Sequence, residues 1–164
     1  MIPELISSLD HTIEFIRQQV DDLTDDEMVL QPAGVPNHAA WTLGHIIYSC
    51  RAIAVELGGS SSLIDDLESR FGYGSIPSPL VSEHSSKMKL LALLEDASQR
   101  LRTALLENDE ARLTEPLPDE KSRETYPTKL HVLVQVVVGH TAYHAGQLAV
   151  WRRAIGRKPV GIFI

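Results

Sequence analysis

Two histidines, His140 and His144, stand four residues apart in an otherwise apolar stretch, VVVGHTAYHAGQLAVWRRAIG, from Val136 to Gly156. Residues at i and i+4 share one face of a helix, so a helical segment aims both imidazoles the same way. The stripe they extend runs through Leu133, Val136, Val137, Gln147, Leu148 and Trp151, and a stripe this apolar faces a core. Histidine is the commonest ligand for zinc, nickel and iron, so two stacked imidazoles on a buried face make half of a transition-metal site. A single histidine on such a face reads as a packed, hydrogen-bonded core residue; the pair is what raises metal chemistry.

An earlier segment, HAAWTLGHIIYSCRAIAVEL from His38 to Leu57, offers a third donor. On a 3.6-residue helix His38, Trp41, His45, Ala52 and Glu56 fall near one bearing, which makes His45 the candidate third ligand. His38 lies two turns earlier, too far along the axis to share one ion comfortably, and reads as pocket rim or end-of-helix histidine. Trp41 would wall whatever His45 faces. Tyr48 would present a hydroxyl near the stripe, with a half-buried structural tyrosine as the plainer reading. Gln147, on the His140/His144 face, is the most economical group to orient an imidazole or a substrate, set against an ordinary interhelical core glutamine.

Three histidines with open positions suit a catalytic ion, because a structural zinc is normally closed by four protein ligands. Two familiar alternatives fail on single residues. His140 is followed by Thr141, so the glutamate of an H-E-x-x-H protease is missing, and no glutamate stands three residues before either histidine as a di-iron bundle requires.

The elements that must position these groups follow from periodicity. Pro3 suits a first helical turn, and Leu5, Ile6, Leu9, Ile13, Ile16 and Val20 recur at three- and four-residue spacing, predicting helix one over 3–20, with His11 on its solvated face. The acidic run from Asp21 to Glu27 and the Gln31–Pro36 segment predict a loop with room for a short helical turn. Asn37 as N-cap and Gly58-Gly59 as stop bound a largely buried helix two. From Gly58 to Leu80 serine, glycine and proline predict a long connection, with Phe71 and Tyr73 either lining an entrance or pinning the loop to the bundle. Ser82 as cap, with Met88, Leu91, Leu94, Leu101 and Leu105 on one face, predicts helix three ending near Glu107, and an exposed His84 near its start. Residues 109–127 read as another polar connection. The run from His131 to Val138 is rich enough in β-branched residues for a strand. Its length, Thr128 after Pro127, and Arg152-Arg153 before Gly156 decide for helix four over 128–155. Its valines on several faces predict deep burial or a subunit contact, and the tail, with Val160, Ile162, Phe163 and Ile164, is expected to dock back as an apolar flap.

The bulk of the chain sets the frame. At 164 residues it reads as one domain, 1–164, able to bury a core without disulfides. The single cysteine, Cys50, has no partner within the chain, and the opening Met1-Ile-Pro-Glu4 is unlike a basic apolar leader, so a reducing, cytoplasmic setting is expected. No apolar run approaches the length of a membrane span. A net charge of −7 without a long basic cluster argues against a nucleic-acid partner, and the glycine-rich phosphate motifs are missing. Four helices, no convincing strand and aliphatic stripes predict an all-α four-helix bundle with long connecting loops.

Trp41-x-x-x-His45 in helix two, with His140-x-x-x-His144-x-Gly146-Gln147 and Arg152-Arg153 in helix four, resembles the DinB/YfiT-like superfamily of metal-dependent bundles over nearly the whole chain. The resemblance implies an up-down-down-up topology, a homodimer, and a divalent ion held by the residues matching the family triad, His45, His140 and His144. Zinc or nickel is the expected ion, with iron and manganese as further candidates. It also implies thiol chemistry: transfer of a low-molecular-weight thiol, such as bacillithiol or mycothiol, to a small electrophile, or thiol-dependent isomerisation. Gln147, Tyr48 and Tyr143 are then the expected orienting residues and the 58–80 connection shapes specificity. Cys50, about 140° around helix two from His45, is not the expected nucleophile. A metal-dependent hydrolase and a non-catalytic metal-binding or stress-response bundle stand as alternatives.

Overall fold

The computed structural model describes residues 1–161, and among these the only β pairing is an isolated bridge between Pro116 and Thr128. Four long helices carry the architecture. The first, α1 (Ile2–Val20), buries Leu5, Leu9, Ile13, Ile16 and Val20 along one stripe, as its three- and four-residue spacing requires. The second, α2 (Ala39–Glu56), is buried on most sides, and α3 (Lys87–Leu106) buries Leu90, Leu94, Ala97, Leu101 and Leu105. The fourth, α4, spans 129–154 in three pieces: an α-helical start (Lys129–Leu133), a π-helical stretch (Val134–His140) and an α-helical remainder (Thr141–Ala154).

Side-chain contacts give the helix directions. Asn108 donates to the Leu57 carbonyl at 3.2 Å, joining the C-terminal ends of α2 and α3, so these neighbours run parallel. Arg152 donates to the Gln19 carbonyl at 2.9 Å, so α1 and α4 run parallel as well. Arg17 meets Glu95, and Arg102 meets Asp10, which sets α1 antiparallel to α3. His45 faces His140 and His144 while Asn37 lies opposite Val150, which sets α2 antiparallel to α4. The topology is up-down-down-up, and its parallel α2/α3 pair explains the long connection between them: the chain must travel back along the bundle before α3 can begin.

Several boundaries differ from the sequence expectation. His38, not Asn37, caps α2, because its Nδ1 accepts the Trp41 backbone N–H at 3.2 Å. Helix α3 is capped by Ser86; Ser82 sits in a preceding 3₁₀ turn, and Met88 faces solvent. His84 is half-buried, with its Nε2 donating to the Ser78 carbonyl at 2.8 Å. The valines of α4 are not uniformly deep: Val137 is fully buried, whereas Val134 is exposed. The long connections contain short helices at Leu67–Phe71, Glu110–Leu113 and Glu120–Thr125, and the acidic loop holds the turn Asp25–Met28, closed by reciprocal Thr24 and Glu27 bonds. The predicted flap residues Ile162, Phe163 and Ile164 lie outside the described residues. No described helix is long and apolar enough to cross a membrane.

Candidate metal centre

The three histidines converge. His45 Nε2 lies 3.0 Å from His140 Nε2, and His144 Nε2 lies 3.1 Å from the same atom. All three candidate ligand atoms fall within 4.8 Å of one another, and among the described residues no carboxylate or thiol joins the group. The far nitrogens explain why these ones point inward. His45 Nδ1 donates to the Phe71 carbonyl at 2.6 Å, and His144 Nδ1 donates to Gln147 Oε1 at 2.8 Å. A carbonyl oxygen only accepts, so both neutral rings carry their proton on Nδ1 and present a lone pair at Nε2.

Those lone pairs are the test of whether the residues fit an ion. A proton on His140 Nε2 can serve its two neighbours only by sharing; His140 Nδ1 is buried without a hydrogen-bond partner among the described residues whether Nε2 carries a proton or an ion. One cation satisfies all three Nε2 atoms together. Tetrahedral zinc with ordinary Zn–N bonds separates its nitrogens by about 3.3 Å, close to the 3.0 and 3.1 Å that separate His140 Nε2 from its two neighbours. The three-histidine cluster therefore fits a divalent metal ion.

Charge tells the same story. Burial pushes His140 and His144 down to about 4, with the neighbouring histidines adding to it, and burial lowers His45 as well. All three rings are thus neutral and ready to ligate at pH 7. The sign for stability follows from the ordinary histidine value of 6.5 in the unfolded chain: the unfolded state takes up protons first as pH falls. Metal-free protein is therefore expected to keep its full stability above about pH 6.5 and to lose it progressively toward pH 4. Urea midpoints across that range check this, and the loss should shrink in His144→Ala.

Around His45 the bundle is built tightly. Trp41 stacks on the imidazole with centroids 4.9 Å apart and planes 8° from parallel, and its Nε1 donates to Ser75 Oγ at 3.0 Å. Trp41 thus walls the site as its bearing on the helix implies. Phe71 is buried, and its ring occupies the space that a side chain at Gly44 would need. Only glycine lets the 57–86 connection approach α2 closely enough for the Phe71 carbonyl to reach His45. Phe71 is therefore a pin and Tyr73 is fully exposed. Helix propensity alone predicts that Gly44→Ala stabilises by about 1 kcal/mol. The overlap with Phe71 reverses the sign: the variant should melt lower and hold metal about 10- to 100-fold more weakly, and Gly44→Ala/Phe71→Ala should regain stability over Gly44→Ala alone. Thermal melts and chelator competition measure both effects.

On α4 the π-helical stretch ends at His140. Thr141, where a zinc protease would carry glutamate, instead turns its hydroxyl back to the Val137 carbonyl at 2.6 Å and is itself buried. It satisfies backbone in the widened turn that sets His140 beside His144, and π turns are characteristic of functional sites.

The three expected orienting residues separate. Gln147 is in place as the acceptor that holds His144. Tyr143 packs its ring edge-on to His144 at 5.2 Å and is 63% exposed. Tyr48 is hydrogen-bonded through its hydroxyl to Glu68, and burial, with the Glu68 charge and hydrogen bond, raises the phenol's pKa. Gln147→Leu is expected to weaken metal binding about 10- to 100-fold by freeing the imidazole and stranding its N–H, while Gln147→Glu keeps it tight. Titration against a metal-sensitive dye distinguishes these outcomes. Phe71 and Gly44 were not legible as supports of the site; a glycine inside a buried helix was the one available signal of close approach.

Fold and site define an all-α bundle with a three-histidine centre between an antiparallel pair of helices. The chain belongs to the DinB superfamily, whose family model matches residues 8–148. The structure is similar to the crystal structure of a conserved protein from Enterococcus faecalis, with a TM-score of 0.78 and 18% sequence identity over 96% of this chain and 98% of that one. That likeness speaks for the fold. No curated protein matches the sequence.

Proposed function

We propose that this protein is a metal-dependent transferase that joins a low-molecular-weight thiol to a small electrophile. The observation that carries the reading is the set of three converging Nε2 atoms, joined among the described residues by no fourth histidine, cysteine or carboxylate, which leaves a position for a ligand from solution. A bound divalent ion lowers the pKa of a coordinated thiol into the neutral range. The sulfur must come from outside, since Cys50 is fully buried and its thiol is pushed up to about 12 by that burial. In the transfer the thiol releases its S–H proton to solvent and its electron pair forms the new C–S bond. The leaving group departs as an anion with the electrons of the bond it breaks. His45, His140 and His144 hold the ion, the Phe71 carbonyl and Gln147 keep two of the rings turned inward, and Trp41 shields one side from water. A thiol substrate also suits a reducing, cytoplasmic setting.

The test is metal analysis of gently purified protein, followed by thiol consumption with a chlorodinitrobenzene as electrophile. Near-stoichiometric zinc or nickel and metal-dependent loss of thiol are expected. No bound ion at near-stoichiometric level overturns the reading. Turnover of esters or amides without thiol replaces it with a hydrolase.

A further inference from the structure

Beside the histidine centre, the loop at 34–37 and the outward side of α4 enclose a cavity of about 530 Å³, walled by Val35, Pro36, Asn37, Tyr143, Gln147 and Val150. Two of these residues touch the centre itself: Gln147 accepts from His144 Nδ1 at 2.8 Å, and the Tyr143 ring abuts the His144 ring. The cavity is thus one side chain away from the histidines.

Its chemistry differs from that of the other clefts. The cleft at the ends of α2 and α3 carries Asp96, Arg100 and Glu107, and the one beside the end of α1 carries Glu14, Arg17, Asp21 and Asp22. None of the residues lining the cavity beside the centre is charged. A carboxylate or phosphate entering it would lose water without gaining a counter-charge, which is costly, whereas an apolar body gains by covering Tyr143 and Val150, 63% and 60% exposed. The floor is open by construction, because a Cβ at Gly146 or Gly34 would meet no atom within 4 Å. Polar contact is limited to uncharged amides. With Gln147 Oε1 engaged by His144, its Nε2 has no hydrogen-bond partner among the described residues and can donate to an acceptor on a ligand.

We propose that this cavity binds the uncharged apolar body of the electrophile, with an acceptor oxygen or nitrogen on Gln147 Nε2, on the side of His144 that carries Nδ1. The inference rests on the transfer reading above and gives it a substrate class: neutral aromatic or alkyl electrophiles, and not anionic metabolites.

Binding without turnover tests it. The metal-loaded protein, with no thiol present, is titrated with 2-naphthamide and with 2-naphthoate, which share a shape and differ in charge, by calorimetry or ligand-observed NMR. The pair is repeated on His45→Ala to remove any direct contact between carboxylate and ion. The neutral amide is expected to bind at least about tenfold more tightly in both proteins. Gly146→Phe, at a lining position where a Cβ meets no atom within 4 Å, should abolish amide binding without changing metal content. Val150→Asp should weaken it about tenfold by setting a carboxylate in the wall. Equal or tighter binding of the naphthoate in His45→Ala overturns the inference, as does amide binding unchanged in both cavity variants. Amide binding that follows the expected pattern in a protein that consumes no thiol upholds the cavity and removes only the transferase reading.

Discussion

His144→Ala is expected to lose stoichiometric metal on dialysis and, with it, all metal-dependent thiol consumption. Structural zinc sites draw on the order of 10–16 kcal/mol from four ligands, about 2.5–4 kcal/mol each, so removing one imidazole here should weaken the ion by about a hundred- to a thousandfold. His144 is the most informative position because it holds two partners in line: its Nε2 lies 3.1 Å from His140 Nε2, and its Nδ1 engages Gln147. The substitution also strands the Gln147 amide. His45→Ala should reach a similar loss of metal through the other helix, since it empties the position held by the Phe71 carbonyl. The metal-free fold should survive in both, because the core of aliphatic stripes does not depend on these rings. Circular dichroism with metal analysis checks the result; a His144→Ala protein that retains stoichiometric metal after dialysis would refute the assignment of this histidine as a ligand.

Arg152→Ala should produce the largest loss of stability, about 3 kcal/mol, or roughly 6–12 °C in melting temperature. The Arg152 side chain is only 2% exposed, yet every part of its guanidinium is used. Nη1 and Nη2 clasp the Asp22 carboxylate at 2.6 and 2.9 Å, Nη1 also reaches the Gln19 carbonyl, and Nε donates to the Lys158 carbonyl at 2.6 Å. One side chain therefore ties the end of α1, the acidic loop and the segment after α4 together. Truncation leaves buried carbonyls without donors as well as a void. Asp22→Asn should cost less, since Asp22 is half exposed and water can reach it. The clasp also has an acid limit. Hydrogen bonding from Arg152 pulls the Asp22 carboxyl from its usual 3.8 down to about 2, so its contribution is complete above about pH 4 and disappears as pH falls toward 2. Denaturant titrations of both variants at neutral and acid pH separate the two effects.

Much of this was legible in the residues themselves. The stripe from Leu5 to Val20 specifies α1 because a repeat of three and four can bury only one helical face. The spacing of His140 and His144 specifies that they act together, and the bearing of Trp41 and His45 specifies that the indole walls the same site. Elsewhere a distant partner overrides a local preference. Asn37 is the better cap by type, yet His38 takes the role because the Ser78 carbonyl, 40 residues away, fixes its ring through Nε2 and leaves Nδ1 facing the Trp41 N–H. On α3 the expected positions Leu94, Leu101 and Leu105 are buried, joined by Leu90, whereas Met88 lies about 120° around the helix from Leu94 and faces solvent.

The division has a physical basis. By itself the sequence determined the ligand types, the helices that carry them and the side of each helix on which they lie, because helical periodicity is a property of neighbours along the chain. Only the tertiary structure decided that the Phe71 carbonyl, 26 residues from His45, would set that ring's tautomer. It also decided that Tyr48 would pair with Glu68. The π turn at Val134–His140 and the uncharged cavity beside Gln147 arise in the same way. Periodicity gives a residue its angle on its own helix, whereas what it meets there depends on packing between elements far apart in the chain.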